Sequence, residues 1–205
     1  MDEVESMIKE SSYNQRKLAL IQEITAAFDG VAREDGVTLH EATVLDDYGG
    51  PEERAKARAQ DTEKRWQEVP ERDIRCEDAV LSFLDAKGFR YYIPAYMIWY
   101  LRHIDGEGIA RSSMTFDSVV FHLTHPIETG KYGKFEMLTT EQSRAIAHFL
   151  ILEAEREEAI ESSYLRASLS KGGMSKEDIE PIIRAHDFQD NSIARSLNNY
   201  WKQFL

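Results

Sequence analysis

The sequence predicts an all-α fold, a compact irregular helical bundle. Apolar residues recur at three- and four-residue intervals along several stretches. Three sequences have the form of helix N-caps: Thr38/Glu41, Thr139/Gln142 and Ser175/Asp178. One central stretch is apolar on nearly all sides, as a helix buried all round would be. The 205 residues suit a single helical domain, 1–205, with 175–205 set apart as a small C-terminal helical subdomain. A chain of this length buries most of its apolar surface without disulfide or metal staples.

The elements follow in order. Leu18, Ile21, Ile24 and Phe28 form a first helical stripe, and Gly30 and Gly36 loosen the chain after it. In the Thr38/Glu41 box the Thr oxygen takes an exposed N–H and the Glu returns a bond, which starts a short helix over 39–45. Asp46-Asp47-Tyr48-Gly49-Gly50-Pro51 is a turn, and Pro51 suits the first position of an exposed helix over 52–64. Glu52–Lys56 and Asp61–Arg65 stand four apart in the favourable order. Pro70 interrupts, and 77–85 reads as a helix that Gly88 would stop. The β-branched and aromatic run from Phe89 to Ile93 suits a short extended piece or β-hairpin. Pro94 then opens the central helix, over 94–104.

After a loop over 105–113 come a short helix over 116–123 and a loop over 124–136. Thr139/Gln142 starts the longest helix, over 140–161, with Ile146, Phe149, Leu150 and Leu152 facing inward. Lys171-Gly172-Gly173 breaks the chain, and Pro181 falls inside the helix that follows Ser175/Asp178, to kink it or move its start. Ile193, Leu197, Tyr200, Trp201 and Phe204 form one stripe on a terminal helix.

Composition excludes several classes. Hydrophobic residues are 42% and charged residues 30%, which is globular. The single Cys76 allows no intramolecular disulfide and fits a reducing cytoplasm. Residues 1–10 carry four acidic groups where a secretory leader would be basic. The longest uncharged apolar run, Tyr91 to Leu101, has eleven residues where a membrane span needs about 20. The net charge of −12 makes nucleic acid a poor partner and a basic protein a plausible one. The plain use of such charge is solubility.

Between Phe89 and Tyr100, six of twelve residues are aromatic, against 10% in the whole chain. The pattern FLDxxGFRYYIPAYM from Phe83 to Met97, with DDY at Asp46–Tyr48, Trp66 and LTTEQ…FL from Leu138 to Leu150, resembles a family of uncharacterised bacterial proteins catalogued as a domain of unknown function. The likeness spans about Phe28 to Leu152 and Trp201, leaving out 1–16 and 153–180. It implies a bacterial cytosolic protein and brings no activity, cofactor or site residues.

The candidate chemistry is sparse. Asp46 and Asp47, with Asp61 as a third ligand, are the weak candidates for a divalent cation, although no calcium-loop spacing is present. The competing use is a turn in which one Asp bonds the backbone and Tyr48 packs inward. His122 and His125 form an HxxH without further zinc ligands. Cys76 with a histidine would make a nucleophile pair, yet a free Cys is usually a small buried hydrophobe. GxSxG, a Walker loop, GxGxxG and HExxH are all lacking.

On the terminal helix Arg195, Asn198, Asn199 and Lys202 suit base edges, but 175–205 has four basic and five acidic residues, the wrong sign for a DNA reader. Glu153, Glu157 and Glu161 stand four apart on one helix face, a small loss of stability that a basic partner would repay. Tyr91, Tyr92, Tyr96 and Tyr100 suit either a core or an interface rim. The reading that collects these features is a cytoplasmic protein-interaction module, immunity- or antitoxin-like, binding a basic partner through Glu153, Glu157, Glu161, Tyr91, Tyr92 and Tyr96 without a cofactor. A metal-dependent or hydrolytic enzyme at the Asp46/Asp47 turn comes second, and a DNA-binding regulator third.

Overall fold

Caps decide where the helices begin. In the computed structural model, which describes residues 2–76, 79–106, 114–186 and 191–205, the α-helices are α1 (Asp2–Ala27), α2 (Leu39–Asp46), α3 (Pro51–Arg58), α4 (Glu71–Cys76), α5 (Ala86–His103), α6 (Thr115–Thr129), α7 (Thr140–Lys171), α8 (Lys176–Ala185) and α9 (Ser192–Asn199). Short 3₁₀ turns lie at Trp66–Glu68, Ala79–Ser82, Tyr132–Phe135 and Trp201–Phe204. The fold is all-α, with no strand among the described residues. Thr38 and Thr139 form reciprocal boxes with Glu41 and Gln142, and the Ser175 hydroxyl accepts the Asp178 N–H at 3.3 Å. Pro51 stands at the first position of α3.

Several boundaries differ from the sequence reading. Phe89 to Ile93 is helical, so there is no hairpin there, and Pro94 lies inside α5 instead of opening it. The N-cap of α5 is Asp85, whose carboxylate accepts the N–H of Gly88 at 2.8 Å and of Val37 at 3.0 Å. Gly88 therefore begins a helix, and among the described residues of 79–85 there is only the 3₁₀ turn Ala79–Ser82 in place of the expected α-helix. A Cβ on Gly88 would come within 2.4 Å of the Val37 carbonyl, and one on Gly36 within 2.6 Å of the Gly88 nitrogen. The segment before α2 crosses the start of α5 at glycine distance.

Helix α3 ends at Arg58, not 64, because the Asp61 carboxylate is taken by the His40 backbone N–H at 3.1 Å and its imidazole at 2.7 Å. Helix α6 runs through Pro126 to Thr129 and stops at left-handed Gly130, which shortens the expected loop. Helix α7 continues ten residues past 161, to Lys171. Tyr48 is 97% exposed with φ of 59°, so it does not pack inward. Leu18 is 60% exposed, and the buried stripe of α1 is Leu20, Ile24 and Phe28.

Helix α5 is the centre. Every residue from Gly88 to Leu101 is buried except Arg90. It packs against α1, α4 and α6. Tyr100 meets Phe116 and Phe149 edge-on at 5.2 and 5.1 Å between ring centroids, a preferred aromatic geometry. Residues quoted for the family resemblance hold this frame together. The Trp66 indole donates to the Phe28 carbonyl at 2.8 Å, and the Trp201 indole to the Leu123 carbonyl at 3.0 Å. The Gln142 amide donates to Ala27 at the end of α1 and accepts from Arg90 of α5, both at 3.1 Å. Ile193, Leu197 and Trp201 join the main core, whereas Ile179 and Ile183 of α8 are buried outside it, in a helix that packs on α7. No helix among the described residues is long and apolar enough to cross a membrane.

Candidate acidic cleft between α6 and α7

A cleft of about 510 Å³ opens between α6 and α7, beside the ends of α5 and α9. Its apolar wall comes from Ile104, Met114, Phe116, Val120 and Phe121, and its polar wall carries Asp117, Glu128, Glu153, Arg156 and Glu157. Helical spacing explains this meeting. Glu153 and Glu157 are one turn apart on α7, and Asp117, Phe121 and Glu128 share the facing side of α6. At this volume the cleft holds one long side chain or a small organic ion.

The carboxylates differ in how they are matched. Glu153 is buried and held in a two-pronged pair by Arg156 at 2.8 and 2.6 Å. Burial acts against the Arg156 charge, but the hydrogen bond and charge of Glu153 outweigh it and push its pKa up. Burial, then the charge of Glu153, also holds the Tyr100 phenol well above its usual value. Tyr13 of α1 is pushed up to about 12 by burial, then by Asp105 and Glu153. At the outer end Glu128 is bridged by Arg195 of α9 at 3.0 Å.

Glu157 is half-buried, and no ion pair to it is found among the described residues. Its carboxyl is raised above the usual value by burial first, then by Glu153; Arg156 opposes this, and Glu161 and Asp117 add to it. An incoming cation would offset the repulsion from these neighbouring carboxylates. On the rim Phe121, 48% exposed, stacks on His125 at 4.5 Å. A carboxylate floor beside an exposed aromatic ring has the chemistry that an organic cation would need.

The other sequence candidates are dispersed. Asp46 and Asp47 are exposed at the end of α2, whereas Asp61 is buried against His40. Among the described residues no three His, Cys, Asp or Glu side chains come together as metal ligands. His122 turns inward and His125 outward, so they do not share an ion. The Cys76 side chain lies outside the described residues. Tyr91, Tyr92 and Tyr96 are fully buried and form core, not a rim. The Tyr92 hydroxyl donates to Glu63 at 2.8 Å and accepts from Arg33 at 2.9 Å. On α9 Arg195 is committed to Glu128, and Lys202, in the 3₁₀ turn after α9, donates to Asn198.

Of the proposed contact residues, Glu157 lines the cleft, Glu153 is its buried floor and Glu161 stands exposed one turn beyond. Beyond Glu161 the outer half of α7 exposes Tyr164 at 70%, next to Ile160 at 37%. The sequence reading missed the α6 side of the cleft, Asp117, Phe121 and Glu128. Only the packing of both α6 and α7 against α9 brings them in, and no local pattern encodes that.

Neither the search of curated proteins nor that of solved structures returned a match. One family model does match, over residues 16–171, and its description is a family of unknown function, DUF6714. The match takes in the aromatic helix, the Trp66 and Gln142 anchors and both long walls of the cleft, and it reaches past 152 to cover most of the acidic face of α7. The chain belongs to this family of unknown function.

Proposed function

We propose that the protein is a cytoplasmic interaction module of the immunity or antitoxin kind, which receives a Lys or Arg side chain of a basic partner in the α6/α7 cleft. The observation that carries this reading is Glu157, a half-buried carboxylate raised by burial and by its acidic neighbours, without an ion pair of its own among the described residues. A basic side chain would supply the missing charge while its aliphatic stem lies on Val120 and Phe121. The net charge of −12 would steer such a partner inward, and the exposed Tyr164 beside Ile160 offers apolar contact beyond the cleft.

The test is capture at low and high salt with a photo-crosslinking residue in place of Phe121, and in a control in place of Tyr48. The expected result is one stoichiometric basic protein that cross-links from position 121 and is weakened by salt. Capture that is indifferent to salt, or that cross-links from position 48 alone, would overturn the reading.

A further inference from the structure

Ser82 ends the 3₁₀ turn Ala79–Ser82 and is exposed, while His122 of α6 behind it is 6% exposed. The Ser82 hydroxyl oxygen lies 3.0 Å from His122 Nε2. His122 Nδ1 lies 2.8 Å from the Ser118 backbone carbonyl, which can only accept. Nδ1 therefore carries the ring hydrogen, Nε2 is the acceptor, and the serine hydroxyl donates to it. Behind the same turn Lys134 donates to the carbonyls of Leu81 and Ser82, the second at 2.9 Å. A nucleophile, a base oriented by a second hydrogen bond, and a fixed cation stand together in a part of the fold that the acidic cleft does not use.

We propose that Ser82 is an acyl-accepting nucleophile with His122 as its general base, open to small carboxylic esters. The serine oxygen bonds to the ester carbonyl carbon as its proton passes to His122 Nε2. The resulting oxyanion collapses, the bond to the alcohol oxygen breaks, and the proton moves from Nε2 to that oxygen. Water then attacks the acyl-serine by the same route and regenerates the hydroxyl. Lys134, held on the Leu81 and Ser82 carbonyls, adds positive charge to this turn.

The surroundings set the pace. Burial first, then the facing charges of Lys134 and His125, pushes His122 down to about 4, so the imidazole is neutral across the physiological range. The same burial, with no carboxylate bonded to Nδ1, opposes the imidazolium that each proton transfer requires. Both steps are slow, and with an activated ester, whose alcohol leaves easily, acylation outruns deacylation and the acyl-serine accumulates. Burial also pushes Lys134 down to about 8, so the cation is weakened in mild alkali.

The experiment is intact-mass and peptide-mapped labelling with p-nitrophenyl acetate and, separately, a fluorophosphonate. The expected result is one adduct per chain on Ser82, absent in Ser82→Ala. It should form about a hundredfold more slowly in His122→Asn, the scale of general-base assistance. No adduct, an adduct on Lys134 alone, or undiminished labelling of folded His122→Asn would overturn the proposal. If His122→Asn fails to fold, the wild-type labelling rate in H₂O and in D₂O decides. A clearly slower rate in D₂O supports a proton passing to His122 in the labelling step, and an unchanged rate contradicts it.

Discussion

Helix α5 and the outer half of α7 are built on opposite rules. In α5 almost every side chain is buried, Tyr92 is bonded to Arg33 and Glu63, and the rings meet edge-on. Past Glu153, α7 carries Glu157 and Glu161 without an ion pair among the described residues and exposes Ile160 and Tyr164. The first arrangement lowers the free energy of the folded chain. The second raises it slightly and leaves unsatisfied charge and apolar area where a partner can reach them. Elements that act on other molecules are commonly drawn from the less stable part of a fold.

The widest contrast is a pair of aromatic truncations. Phe89→Ala in α5 is expected to cost about 3–5 kcal/mol, a fall in Tm of roughly 10 °C or more, whereas Tyr164→Ala stays within about 0.5 kcal/mol. Thermal melts of the two variants check this, and equal losses would erase the distinction. Glu153→Gln comes next, because it leaves Arg156 without a counter-charge, and a cost of about 3 kcal/mol is expected in urea unfolding. Gly88→Ala should cost roughly 1–3 kcal/mol, since its methyl meets the Val37 carbonyl. A neutral outcome there would show that the α5 start is looser than its geometry.

The smallest effect has the opposite sign. Because the folded Glu157 carboxyl is raised, the folded state holds that proton more tightly than the unfolded chain does. Its ionised form therefore costs stability as pH rises through the carboxylate range and beyond. Glu157→Gln should stabilise the protein at pH 7 by about 0.5–1 kcal/mol, from two relieved one-turn repulsions. The gain should vanish below about pH 4, where both states are protonated. Urea titrations at the two pH values measure the difference.

The sequence carried the frame well where the signal was local. The Thr38, Thr139 and Ser175 caps act within three residues, so the starts of α2, α7 and α8 are legible from spacing. The buried α5 follows from its unbroken apolar character. Its start was misread because Gly88 and Pro94 look like punctuation. Gly88 is there for the passing Val37 carbonyl, a contact made across the chain. The early end of α3 has the same origin, in the pairing of Asp61 with His40. At the cleft, the Glu spacing on α7 was visible but its facing wall was not. The Ser82–His122 pair joins residues 40 apart and had no signature at all.

The central claim is that the acidic cleft gives up stability in exchange for binding a cation. The double variant Asp117→Asn/Glu157→Gln tests it most directly, by thermal melting and by salt-dependent capture of the basic partner in parallel with wild type. The account predicts a higher Tm together with loss of the captured partner. A lower Tm, or capture at the wild-type level, would contradict it.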